Sequence, residues 1–138
     1  MNSFTFETLK VGQTEKFLVQ ITQSMLTSFL ELTSDNNPLH IDSDFAKTRG
    51  FPGKVAYGMM TASFYSTLVG VYLPGRFAML HGIEIKFRNP SYKGDTLVIT
   101  GEVSFTSQSS KQIELKANIK NQDNLTISTA KIKVGLHE

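Results

Sequence analysis

The side chains able to do acid–base chemistry converge on one short stretch. Asp35 and His40 flank Asn37-Pro38 in the run Ser34-Asp35-Asn36-Asn37-Pro38, which is dense in turn formers. Proline disfavours helical backbone at its predecessor, so the spacing predicts a stiff loop leaving a helix end. Two readings of that loop stand side by side. In one, Asp35 bonds its own backbone in an Asx turn and His40 is a surface residue. In the other, carboxylate and imidazole point at one spot as a general acid/base pair tuned by burial and by each other. Gly58 tips the balance to the second. It opens an apolar helix, no Cβ shields its amide, and the positive end of the helix dipole favours negative charge there. Of the other histidines, His81 falls on the apolar face of an expected strand and reads as a hydrogen-bonded core residue, and His137 reads as solvated.

Composition narrows the partner classes. A chain of 138 residues suits one domain, residues 1–138, and 40% hydrophobic with 19% charged residues is the balance of a folded globular protein. The formal net charge of +2 is too weak to imply a nucleic acid or an anionic membrane as partner. With no cysteine there is no disulfide, no thiolate nucleophile and no Cys-ligated metal, and no metal or cofactor is expected. An apolar run of about 20 residues and a signal-like opening are both missing, so the expectation is a cytoplasmic protein.

The elements that must position these groups follow from periodicity. Thr14 to Ile21 predicts a strand, and Thr22 caps a helix through Met25, Leu26, Phe29, Leu30 and Leu32, ending near Thr33. Asp42 caps a short helix stopped by Gly50 and Pro52-Gly53. Gly58 to Leu73 is apolar nearly all round and predicts one buried helix, with Gly58, Ala62, Ser66 and Gly70 as a stripe of small residues and Val69 on the same side. After Gly75 the period becomes two. His81, Ile83, Ile85 and Phe87 share a face, as do Leu97, Ile99, Val103 and Phe105, and Ile113, Leu115, Ala117 and Ile119. Asn121 to Asn124 predicts a hairpin turn, and a parity change predicts a bulge near Ser128. The order is α+β: an antiparallel sheet wrapped around one long central helix, the hotdog architecture. A helix so apolar in so small a chain argues for a homodimer.

Thr33-Ser34-Asp35-Asn36-Asn37-Pro38-Leu39-His40-Ile41-Asp42, with Phe45-Ala46 after it, resembles the hydratase 2 motif of MaoC-like (R)-specific enoyl-CoA hydratases, whose core is Asp-x-Asn-Pro-x-His. The likeness continues through Gly53, Ala56-Tyr57-Gly58-Met59, Ala62-Ser63, Leu73-Pro74-Gly75, Phe87, Pro90 and Gly94-Asp95. The resemblance implies a hotdog dimer that reversibly adds water to a trans-2-enoyl thioester, giving the (R)-3-hydroxyacyl product without a cofactor. It implies Asp35 and His40 as the catalytic pair, Gly58 as oxyanion donor, Asn37 shaping the site, Ser66 as a supporting hydroxyl and Val69 near the acyl tail. Two positions depart from the family: Ser34 stands where glycine is common and Tyr57 where histidine is. Tyr57 could bond a substrate, narrow the mouth or pack. Lys86 and Arg88, near Lys93, could hold the phosphates of CoA or of an acyl-carrier protein's phosphopantetheine, or be a solvated strand face. The alternatives to hydration are dehydration of 3-hydroxyacyl groups on a carrier protein or in a specialised biosynthetic route, a thioesterase, and a non-catalytic acyl-thioester binder.

Overall fold

The structure is a computed structural model describing residues 1–138. Five strands form it: β1 (Thr14–Gln20), β2 (Ala78–Phe87), β3 (Thr96–Ser107), β4 (Gln112–Lys120) and β5 (Thr126–Leu136). They make one antiparallel sheet in the order β1-β3-β4-β5-β2. The sheet curls around the Gly58–Leu73 stretch, the expected hotdog arrangement.

Alternation along β3, β4 and β5 turns Leu97, Ile99, Val103, Ile113, Leu115, Ile119, Ile132 and Val134 inward, and all are essentially fully buried. The register sets Gly101 opposite Ala117 and Ala117 opposite Ala130. A row of small residues therefore crosses the middle of the inner face, and the helix lies in that trough. Leu68 fills it so closely that a Cβ on Gly101 would come 2.8 Å from Leu68 Cδ2.

The central segment is helical throughout but in three pieces. α4 (Gly58–Ala62) and α5 (Phe64–Thr67) are joined at Ser63, which keeps right-handed helical dihedrals, and a π turn (Leu68–Tyr72) closes it with Leu73 N–H on the Leu68 carbonyl at 2.7 Å. It is not buried all round: Ser63 and Ser66 are exposed, and Met59 is 62% exposed. The expectation of a uniformly buried helix is corrected accordingly, because one sheet covers only one side. Inside the core Tyr65 Oη and Ser128 Oγ lie 2.8 Å apart and satisfy each other. Burial pushes the Tyr65 phenol up to about 12, although the Ser128 bond works the other way.

The helices before it match their caps. α1 (Gln23–Thr33) starts at Thr22, whose side chain accepts from Met25 N–H, and α3 (Ser43–Thr48) starts at Asp42, which accepts from Phe45 N–H. Between them the expected loop contains a further short helix, α2 (Pro38–Ile41), because proline at a first helical position loses no hydrogen bond and Asn37 caps it.

Bulges account for the misread strand faces. The register slips between Leu80 and Gly82, which throws His81 out of the ladder; it is exposed, with Gln112 Nε2 donating to His81 Nδ1 at 2.9 Å, and is not a core histidine. A second slip between Val103 and Phe105 turns Phe105 out to 53% exposure. The bulge expected near Ser128 falls at its neighbour Ile127, so both residues are buried. β2 is an edge strand and not half-buried: Met79, Leu80, Ile83 and Phe87 are all exposed.

The trough makes a sharp test of packing. Gly101→Val should lower stability by about 1–3 kcal/mol through overpacking against Leu68. Gly82→Ala, where nothing lies within 4 Å of an added Cβ, should change it by less than about 0.5 kcal/mol. Urea unfolding midpoints of the two variants check the contrast.

Candidate active site

Helix α1 ends on Ser34, whose left-handed backbone, φ 58°, turns the chain sharply into the Asp35 loop. There the side chains build two successive Asx turns. Asp35 Oδ1 accepts from Asn37 N–H at 3.2 Å, and Asn37 Oδ1 accepts from Leu39 N–H at 2.9 Å. The Asx-turn reading of the loop is therefore correct as geometry, and it does not exclude the other reading. One carboxylate oxygen of Asp35 is used and the other has no partner within the chain. Asp35 is exposed and His40 half-buried.

His40 Nδ1 lies 2.7 Å from the Val55 carbonyl oxygen. A carbonyl only accepts, so Nδ1 carries the proton, and in the neutral ring Nε2 keeps the lone pair. The tautomer is set by the backbone of a segment far along the chain, a partner that no motif reveals.

Gly58 is the first residue of α4, and the first backbone bond of that helix runs from Thr61 N–H to Tyr57 O at 3.2 Å. The amides ahead of it have no intrahelical acceptor. Thr61 Oγ1 donates to the Gly58 carbonyl at 2.6 Å, which fixes the first turn. The Phe87 ring lies directly over Gly58: a Cβ there would meet Phe87 Cε1 at 3.2 Å. A side chain here would press on the ring and push Phe87 back by a few tenths of an ångström.

Tyr57 completes the group. It is 2% exposed, its hydroxyl donates to the Asp35 carbonyl at 2.8 Å, and its ring packs on His40 with centroids 4.2 Å apart. Burial, with a smaller contribution from the Asp35 charge, pushes its phenol above the ordinary range, so it stays a donor.

His40, Gly58, Thr61, Phe87, Arg88 and Ser91 are among the walls of a pocket of about 280 Å³. Of the residues singled out in the sequence, His40, Gly58 and Arg88 meet here, with Tyr57 packed on the His40 ring; Asp35 and Asn37 are exposed and are not among the walls. Ser66 and Val69 are not among its walls: Ser66 is exposed and Val69 is 3% exposed in the core. The π turn that begins at Leu68 changes the phase of the helix before Val69, so regular helical spacing does not carry across it. Lys86 lines a separate groove of about 320 Å³ on the outer sheet face, which Arg88, Lys116 and Lys131 share, and Lys93 is not part of it. The pocket walls Thr61, Asn89, Ser91 and Ile127 were not singled out. Thr61 had a readable signal, since it sits one turn after Gly58; at Ile127 the parity change signals the bulge but not which element it faces.

The sequence matches the family of MaoC like domains over residues 7–124. It is 36% identical over 99 residues to an (R)-specific enoyl-CoA hydratase of Rhodospirillum rubrum, an alignment spanning 72% of this chain and 69% of that protein. It is equally 36% identical over 99 residues to a 3-hydroxybutyryl-CoA dehydratase of Methylorubrum extorquens, spanning 72% of this chain and 63% of that protein. Among solved structures, an (R)-hydratase from A. caviae involved in PHA biosynthesis superposes with a TM-score of 0.90 at 30% identity, over 95% of this chain and 99% of that one.

The Val55 contact makes the imidazole state measurable without any substrate. Nitrogen-15 shifts of neutral His40 should report the proton on Nδ1; a ring protonated on Nε2 would show that the Val55 bond is not made.

Proposed function

The chain belongs to the MaoC-like domain family, and on that premise we propose that it is a hydro-lyase that reversibly hydrates trans-2-enoyl-CoA to the (R)-3-hydroxyacyl thioester. The observation that carries this reading is the pocket in which His40, its Nδ1 committed to Val55, faces the start of a helix whose Gly58 amide has no partner.

The chemistry follows from those groups. Water adds through oxygen to Cβ, the Cα–Cβ π pair moves to Cα, and negative charge gathers on the thioester oxygen. A fixed amide such as Gly58 N–H acts most strongly on that charge, and therefore on the transition state more than on the substrate. Asp35 and His40 hold the water between them, take its proton and return one to Cα, with Nε2 as the working nitrogen of His40. Asn37 holds the loop in register through its bond to Leu39. Running the same steps backwards is a dehydration, so the 3-hydroxyacyl dehydratase reading uses the same site and differs only in direction and carrier. Arg88 at the rim, with Lys86 beside it, is assigned to the phosphates of CoA, and the pair would equally meet the phosphopantetheine of a carrier protein. Val69 is assigned to the buried wall that limits the acyl tail.

A homodimer belongs to the same proposal. β2 is an edge strand that leaves Ile83 and Phe87 40% and 50% exposed, and Ser66 and Met59 are exposed on the uncovered side of the helix. Pairing two β2 edges would cover these residues, carry the sheet across both copies and bring Ser66 under a second chain.

Following the loss of ultraviolet absorbance of a four-carbon trans-2-enoyl-CoA tests the activity. Asp35→Asn and His40→Gln should each lower turnover by about 10² or more with the fold intact; near-parental activity in either variant would refute the assignment. Light scattering at micromolar concentration should give twice the chain mass, and Ile83→Lys should shift it toward the monomer. A monomer mass for the unmodified chain would contradict the dimer.

A further inference from the structure

Residues 34–37 are exposed, and nearly every hydrogen bond that shapes them is local: Ser34 N–H to Leu30 O, Asp35 N–H to Thr33 Oγ1, and Asn37 N–H to Asp35 Oδ1. Such bonds set the shape of a turn but not where the turn sits on the protein. The one bond from these residues to a distant part of the chain is the Tyr57 hydroxyl on the Asp35 carbonyl, 2.8 Å long and 22 positions away in sequence. The same side chain lies against the His40 ring, 4.2 Å between centroids with the planes 31° apart, and is backed by Phe29 at 4.8 Å. Its own backbone is the N-cap of the helix that begins at Gly58.

We propose that Tyr57 is a positioning residue that ties the Asp35 carboxylate loop, the His40 imidazole and the Gly58 amide into one rigid constellation; this rests on the hydratase reading above. Its hydroxyl sets the height of the Asp35 loop. Its ring closes one face of the imidazole, so that His40 keeps Nδ1 on Val55 and presents Nε2 outward. With the donor committed to Asp35 and the ring buried, Tyr57 acts through these groups and does not touch the thioester. A displacement of about 1 Å between an acid/base group and a bound water is enough to cost up to 10²-fold in rate, so the kinetic signature of a lost strut is in kcat.

Tyr57→Phe removes the hydroxyl and keeps the ring, and Tyr57→Leu removes both. On a four-carbon enoyl-CoA, Tyr57→Phe should lower kcat roughly 5- to 20-fold with KM within about twofold, and Tyr57→Leu should lower kcat further. Thermal melting verifies that each variant is folded. The His40 Nδ1–H resonance, protected by the Val55 carbonyl, should remain in Tyr57→Phe and exchange faster or vanish in Tyr57→Leu. An unchanged kcat in Tyr57→Phe overturns the proposal, and so does a rise in KM alone, which would make Tyr57 a substrate contact. If the parent protein turns over no enoyl thioester, the hydratase reading falls. The ring resonance then still decides the strut, and an unaltered signal in Tyr57→Leu overturns it.

Discussion

The depth to which the central helical segment sinks into the sheet governs everything built on top of it. That depth is set by the absence of side-chain bulk along Gly101, Ala117 and Ala130, and at Gly101 Leu68 packs with no slack. Dispersion and apolar burial reward this contact only while the surfaces interlock, because a small gap already forfeits much of the attraction. The far end of the segment is pinned independently. Phe17 stacks on Tyr72 with centroids 4.6 Å apart and planes 3° apart, and Asn2 Nδ2 donates to the Tyr72 carbonyl at 2.8 Å. With one end pinned and the middle seated, the first turn at Gly58 has a fixed height beneath Phe87.

What is left over after the polar groups have been satisfied is what can act. No buried side-chain nitrogen or oxygen lacks a partner, so the folded chain has little unspent hydrogen-bonding capacity inside. Three less buried groups keep capacity to spare, one oxygen of Asp35, Nε2 of His40 and the amide of Gly58, and His40 and Gly58 line the pocket. Each is free because a neighbouring bond occupies its twin. Asn37 N–H takes the other Asp35 oxygen, Val55 takes Nδ1, and the helix that begins at Gly58 has no earlier carbonyl to offer. The site is thus an arrangement of remainders, which ties its geometry directly to the caps and turns around it.

Much of this was legible in the sequence where local chemistry decides the outcome. Thr22 and Asp42 cap helices because their side chains reach an amide of the first turn, and the inward sets of β3 and β4 follow from alternation. The same holds for Asp35, Asn37 and His40, whose turns depend on residues next to them. Legibility failed where a residue's surroundings come from a distant strand or from a change of phase. His81 and Phe105 alternate correctly by count, yet each follows or occupies a bulge that reverses its side. Ser66 and Val69 share an arc on a regular helix, but a π turn begins between them. Tyr57 could be flagged as unusual but not interpreted, since its partner, the Asp35 carbonyl, is a backbone atom in another element.

The strand order carries a consequence for biogenesis. β2 has a single partner in the sheet, and that partner is β5, the last strand in the chain. Ile127, at the start of β5, accepts the amides of both Arg88 and Asn89, at 2.8 and 3.3 Å, and the Thr126 carbonyl takes Asn89 Nδ2 at 2.7 Å. During synthesis the Asp35–His40 loop and the Gly58 turn therefore emerge long before the strand that holds Phe87 through Asn89; until then the Ala56 N–H bond to the Ser91 carbonyl ties this stretch to the Gly58 side. Until β5 leaves the ribosome, β2 is an unpaired ribbon bearing Met79, Leu80, Ile83 and Phe87, the kind of exposed apolar edge that chaperones bind. A nascent chain stopped before Thr126 would carry every group of the acid/base motif and lack Ile127, the wall that fixes Arg88 and Asn89 at the mouth of the pocket.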